Sequence, residues 1–178
     1  MYLYKKTYVK QWDFHKDHER FNVTVERGGK PYTKIKPERI SYVIETAMYW
    51  RKVNQIHGWF VNNTQSIEDD VKYYVTLSDL VKLRDVCAKV LDILNSSPKK
   101  TVQLQNGWVD GKENFEDGVI YDCGDQIKEL LPPTQGFFFG HYDLDEWYYK
   151  GVEDTLIFLN NEITNSSEDD EFEYYASW

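Results

Sequence analysis

From Leu80 to Leu94 the apolar side chains fall three and four residues apart, at Leu80, Leu83, Val86, Cys87, Val90, Leu91 and Leu94. That spacing places them on one stripe of an α-helix. Thr76, with Asp79 three positions on, forms a capping box at its start, so a helix is expected near residues 77–95. A stripe of this kind must be covered by a second layer of structure.

The N-terminal residues suggest what that layer is. Tyr2, Tyr4, Thr7 and Tyr8 are spaced among lysines, Phe21, Val23 and Val25 share a parity, and Gly28-Gly29 marks a turn. Two antiparallel strands within residues 2–27 are the expectation. "KIKPERI" reads as the opening of a helix spanning about 37–62, with Pro37 in the first turn, where its missing N–H does no harm, and Glu38 beside the positive end of the dipole. A further helix is expected near 144–163, capped by Asp143 with Glu146 and carrying Tyr148, Val152, Leu156, Leu159 and Ile163 at helical spacing. Residues 96–126 form an excursion of two short strands around Asn106-Gly107 and Asp110-Gly111. The implied fold is α+β: a small antiparallel sheet packed by three main helices, with an inserted β-hairpin, in a single domain over residues 1–163. Residues 164–178 are acidic and would stay disordered, except that Phe172, Tyr174, Tyr175 and Trp178 offer rings to an aromatic surface.

Composition bounds the function. A chain of 178 residues can bury a core without disulfides, and 41% hydrophobic with 16% aromatic residues excludes a disordered chain. Thirty acidic against 21 basic residues leave a net charge of −9, which argues against a nucleic-acid polymer or an anionic membrane as partner unless basic groups are locally segregated. Cys87 and Cys123 lie in no metal-ligand spacing and read as reduced, structural thiols of a cytosolic protein. No apolar run reaches the roughly 18 residues of a membrane span, and the opening residues are unlike a signal peptide. No cofactor or metal is called for.

The stretch "YWRKVNQIHGWFVNN", Tyr49 to Asn63, sets a harder question. On a helical wheel Ile40, Val43, Ile44 and Ala47 define an inward stripe that Trp50, Arg51, Asn54, Gly58 and Val61 continue, with His57 toward one edge. Tyr49, Val53, Ile56 and Phe60 make the opposite side apolar as well, so Arg51, Asn54 and His57 are expected to point into protein or into a cavity. An unpaired guanidinium in a dry core costs several kcal/mol, and Arg51 therefore needs an acceptor. Two readings stay open. One is an internal network in which Asp143, Asp145, Glu146 or a helix-end carbonyl meets Arg51. The other is a pocket for a planar, nucleotide-like anion, where rings stack and Arg takes phosphate bidentately. In "GFFFG", Gly136 and Gly140 allow close backbone approach just before "HYDLDEWYY" starts a helix, which adds weight to the pocket.

These stretches, with "MYLYKKTYVKQWD" and "VTVERGGKPYTKIKPERISYVIE", resemble a widespread family of small bacteriophage and prophage proteins of undefined function, over roughly residues 1–95 and 127–160. Arg51, Lys52, Asn54, His57 and Trp59 match the family pattern Y-W-R-K-x-N-x-I-H-x-W-F-V. Leu131, Pro132, Gly136 to Gly140, Asp145, Glu146, Tyr148 and Tyr149 match a second pattern, L-P-T-Q-S-G-F-F-F-G followed by D-E-x-Y-Y. Thr134-Gln135 stands one place nearer to Gly136 than in that pattern, and residues 96–126 are longer than the usual connection. The resemblance implies a phage protein working in the host cell cytoplasm. By analogy with phage counter-defence, it implies a sponge that holds a nucleotide-derived immune signal, such as a cyclic oligonucleotide or an ADP-ribose derivative.

The candidate ligand-binding set is Trp50, Arg51, Lys52, Asn54, His57, Gln135, Phe138, Gly140, Asp145, Tyr148 and Tyr149. An enzymatic alternative pairs His57 with His141, Asp143 or Asp145 as acid and base, with Tyr148 or Lys52 steadying a phosphate. However, the four histidines form no metal or phosphodiesterase motif, and no catalytic residue is assigned. A second alternative is an acidic inhibitor docking on a host protein through Glu68 to Asp70 and Glu168 to Glu173. The aromatic surplus, including the hairpin around Trp108, also leads to an expected homo-oligomer with its site near the subunit contact.

Overall fold

Strand β1 (Tyr2–Tyr8) is the pivot of the structure. The computed structural model describes residues 1–64, 71–134, 142–167 and 170–177. After β1 come a short hairpin, β2 (Glu26–Arg27) and β3 (Lys30–Pro31), then β4 (Tyr42–Tyr49), α1 (Asn54–Asn63), β5 (Lys72–Val75) and α2 (Leu77–Ser96). A long hairpin follows, β6 (Lys99–Val109) and β7 (Lys112–Tyr121), and then α3 (Gly124–Leu130), α4 (Glu146–Thr164) and β8 (Asp170–Tyr175). The main sheet has the order β4-β1-β8-β5, and each of its pairs is antiparallel. The fold is α+β.

Register sorts the sheet into two unlike faces. Leu3 stands opposite Tyr174, and Lys5 opposite Phe172, which faces Val75. Leu3, Phe172, Tyr174 and Val75 are all buried against the helices. The alternate residues Tyr2, Tyr4, Tyr8, Tyr42, Tyr49, Tyr74 and Tyr175 share the other face, which is partly open to solvent. On that face Lys6 and Lys72 lie over the rings of Tyr42 and Tyr4, at 4.6 and 4.5 Å. Helices α2 and α4 pack together beneath the sheet: Leu80, Leu83, Cys87, Val90 and Leu94 meet Val152 and Leu159 in one cluster. Burial pushes the Cys87 thiol up to about 12, so it stays protonated and inert, and both cysteines are free and buried.

The α2 helix begins at the expected cap. The Thr76 hydroxyl accepts from the Asp79 N–H at 3.1 Å, while the Asp79 carboxylate accepts from the Thr76 N–H at 3.2 Å. The inserted hairpin is also present, though its strands are 11 and 10 residues long rather than short, and it turns at Asp110-Gly111 with φ of 51° and 75°, the paired positive values of a type I′ turn. Gly107 lies in the register shift between Gln105 and Trp108 rather than at the turn.

Four expectations are corrected. Residues 37–62 are not one helix. Pro37 to Arg39 form a single 3-10 turn, Tyr42–Tyr49 is a strand, and the helix starts only at Asn54. "YVIETAMY" is rich in β-branched and aromatic residues, and β1 offers it a ladder from Tyr42 to Tyr49. The wheel through Ile40, Val43, Ile44 and Ala47 therefore describes no real face. The expected partner of β1, residues 21–27, contributes only the two-residue β2, paired to β3 around Gly28-Gly29. The cap of α4 is Asp145, whose carboxylate accepts from the Tyr148 N–H at 2.8 Å, and not Asp143. The supposed tail supplies β8, an inner strand of the sheet.

One pH dependence follows from the base of β8. Burial alone would raise the Asp170 carboxyl, but hydrogen bonds from Thr7 at 2.5 Å and the Ser167 N–H at 2.9 Å, with Lys5 at 3.3 Å, hold it below the usual aspartate value. A carboxyl depressed in the folded state contributes stability above its unfolded pKa and loses it as pH falls through the folded one. Thermal midpoints measured from about pH 6 to about pH 3 are expected to fall, and Asp170→Asn to flatten that fall.

Candidate functional site

The path of the chain after β4 decides where the candidate residues go. Trp50 closes the strand by exchanging backbone hydrogen bonds with Met1, at 3.0 and 3.2 Å. Its ring is 2% exposed, and its indole N–H donates to the Thr155 hydroxyl at 2.9 Å. The next two residues turn outward: Lys52 takes a φ of 60°, and both Arg51 and Lys52 are exposed. Arg51 is thus not a buried cation in search of a partner.

From Asn54 the chain turns inward again, and α1 is buried continuously from Asn54 to Phe60. The polar groups on this helix are held by neighbouring elements. Asn54 Oδ1 accepts from the Thr134 N–H at 3.1 Å, and the Gln55 side-chain amide donates to the Tyr148 carbonyl at 3.3 Å. His57 Nδ1 lies 2.8 Å from the Tyr174 hydroxyl, whose ring stacks on Phe60 at 4.1 Å. Gly58 permits the close approach of α1 to residue 134, because a β-carbon there would collide with the Thr134 side chain. The Tyr148 hydroxyl donates to the Leu131 carbonyl at 2.7 Å, and burial raises its pKa further from any catalytic range. Tyr149 is half-buried and stacks on Tyr121 at 5.7 Å.

The structure therefore buries Trp50, Asn54, His57, Asp145 and Tyr148, each held by its own partners, and leaves Arg51 and Lys52 exposed. Gln135, Phe138 and Gly140 lie outside the described residues, as do "GFFFG", His141 and Glu68 to Asp70. Among the described residues no buried side-chain nitrogen or oxygen lacks a partner. The arrangement ties α1 to α4, β8 and the segment before residue 135. Arg51→Ala is expected to change the thermal midpoint by no more than a degree or two, as for other exposed positions. Asn54→Ala, which strands the Thr134 N–H, should cost about 1–3 kcal/mol in denaturant melts.

Sequence reasoning missed a different grouping. An open cleft of about 380 Å³ is lined by Tyr8, Lys10, Gln11, Trp12, Phe14, His15, Glu19 and Phe21. A second cleft of about 310 Å³ shares Gln11 and Phe21 with it. Lys10 Nζ stands 4.3 Å from the Trp12 ring, and Trp12 and Phe14 are nearly parallel at 6.3 Å. The Gln11 side chain donates to the Phe21 carbonyl, joining the two ends of the loop. The signal for it was charge distribution: residues 1–40 hold ten Lys and Arg against five Asp and Glu, whereas the rest of the chain holds eleven against 25. A net charge of −9 concealed that local basic surplus.

Comparison with protein-family models, with characterised proteins and with solved structures finds no match to this chain. Among the described residues no three His, Cys, Asp or Glu side chains converge as a metal site would require, and no helix is long and apolar enough to cross a membrane.

Proposed function

We propose that this is a non-catalytic binding protein that sequesters a planar anion, a nucleotide-derived signal of a phage host, and that the ligand occupies the cleft of Trp12, Phe14 and Phe21 with Lys10 and His15. The observation that carries this reading is the joining of exposed rings and a cation in one concave surface, on the basic part of an otherwise acidic chain. Rings offer stacking to a base and Lys10 offers charge to a phosphate, the pairing that planar anions need. The buried Asn54 and His57 support it less well, because their polar groups are spent on the protein's own backbone and side chains. The resemblance to phage proteins supplies the biological setting.

Calorimetric titration with cyclic diadenylate, with ADP-ribose and with inorganic phosphate tests the proposal. A base stacked on an aromatic ring is worth about 1–3 kcal/mol, so Trp12→Ala should weaken binding by roughly 5- to 150-fold, and Lys10→Glu should weaken it further at low salt. Arg51→Ala should leave affinity unchanged. Loss of binding in Arg51→Ala with Trp12→Ala intact would return the ligand to residues 50–57. Recovery of a converted nucleotide would favour the enzyme instead.

A second reading, inhibition of a host protein by direct contact, is favoured by the tyrosine-bearing face of the sheet. Tyr49 and Tyr74 are 52% and 64% exposed, and tyrosine is enriched where proteins meet.

A further inference from the structure

We infer that two copies of this chain pair through the free edge of β4, joining their sheets antiparallel about a twofold axis beside Ile44. The phase of the ladder identifies the groups that would bond. At one end of the β1–β4 pair the Val9 N–H donates to the Ser41 carbonyl at 2.9 Å. Bonded and non-bonded pairs alternate along an antiparallel ladder, so Thr7 with Val43 and Lys5 with Glu45 are the next bonded pairs. Tyr42, Ile44 and Thr46 accordingly turn their N–H and C=O groups away from β1. On that side β4 has no neighbouring strand among the described residues.

Over Tyr42 to Thr46 this edge is lightly protected. It contains no lysine or proline; its one charge is Glu45, and its one irregularity, the extra residue Ala47 opposite the step from Leu3 to Tyr4, begins only after Thr46. Tyr42, Val43 and Ile44 are 46%, 43% and 46% exposed, high for consecutive strand residues. The opposite edge of the sheet, β5, is four residues long and opens on Lys72.

A second copy is the occupant because the strand complements itself in a single register. Ile44 opposite Ile44 sets Tyr42 against Thr46 and Val43 against Glu45, so all three outward-turned residues of each strand are bonded. Sliding one way by two residues places Glu45 directly opposite Glu45, a like-charge pair that is unfavourable across strands. Sliding the other way sets Thr46 opposite Ile40, which lies outside the strand. The dimer would carry one continuous eight-stranded sheet with the tyrosine faces of both copies side by side.

Sedimentation velocity across a concentration series is expected to give a monomer–dimer equilibrium. Ile44→Pro removes an N–H that the β1 ladder does not use, and it should shift the equilibrium at least tenfold toward monomer while circular dichroism stays unchanged. Ile44→Cys should give a disulfide-linked dimer under mild oxidation, since residues opposed in a bonded antiparallel pair lie about 5.5 Å apart, within disulfide reach. Tyr74→Cys, on the other edge strand, should not. A wild-type protein that is monomeric throughout, a dimer indifferent to Ile44→Pro, or an Ile44→Cys variant that cross-links no better than Tyr74→Cys would each overturn the inference. If Ile44→Pro does not fold, the cysteine pair decides alone.

Discussion

Shortening the chain to end at Asn165 is expected to abolish folding, leaving no cooperative thermal transition and no near-ultraviolet circular dichroism. The lost segment contains β8, which bonds to β1 on one side and β5 on the other. Without it the sheet separates into one strand pair and an isolated four-residue strand, neither stable alone in water. Phe172 and Tyr174 are 1% and 0% exposed. Emptying one buried aromatic site costs about 3–5 kcal/mol, and a domain has only about 5–15 in total. A truncated protein melting within a few degrees of the full chain would contradict the assignment of β8 to the core. Truncation of this segment is therefore no test of self-association, and single substitutions on β4 are.

Trp50→Ala is the point substitution expected to do most damage, with a loss of about 3–5 kcal/mol in chemical denaturation. The ring lies between Phe60, at 5.9 Å, and Phe158, at 6.3 Å, in a core that cannot close the gap. Its N–H also answers a specific acceptor, because the Thr155 hydroxyl that receives it donates onward to the Gly151 carbonyl at 2.7 Å. Trp50→Phe keeps most of the volume but loses the N–H, and should fall between wild type and alanine. If Trp50→Ala and the neighbouring Arg51→Ala melted alike, the boundary between core and surface would not lie between these two residues.

The contrast between those neighbours marks how far the sequence could be read. Helices α2 and α4 were legible because each carries its own stripe within about twenty residues, α2 with its cap as well, and the inserted hairpin because Asp-Gly specifies its turn. Strand β4 was not. Val43, Ile44 and Ala47 satisfy helical spacing as well as a strand does, and Pro37 upstream suits a helix start. The choice is made by β1, some forty residues away, which no local pattern records. For β8 the alternation of Phe172 and Tyr174 with Glu171 and Glu173 was visible, but the dense acidic charge hid it. At the candidate site, the burial of Asn54 and His57 was legible as polar groups within an apolar stretch. The outward position of Arg51 was not, because it follows from the turn at Lys52, with its φ of 60°.

The place of β8 between β1 and β5 also has a consequence in time. Lys6 and Glu171, which face one another across β1 and β8, stand 165 residues apart along the chain. While a ribosome is still making the protein, β1 and β4 can meet early, but the other edge of β1 has no strand to bond with until residues 170–175 emerge. The nascent chain must therefore spend most of its synthesis with that edge of β1 unpaired, a condition that slows folding and invites binding by a chaperone.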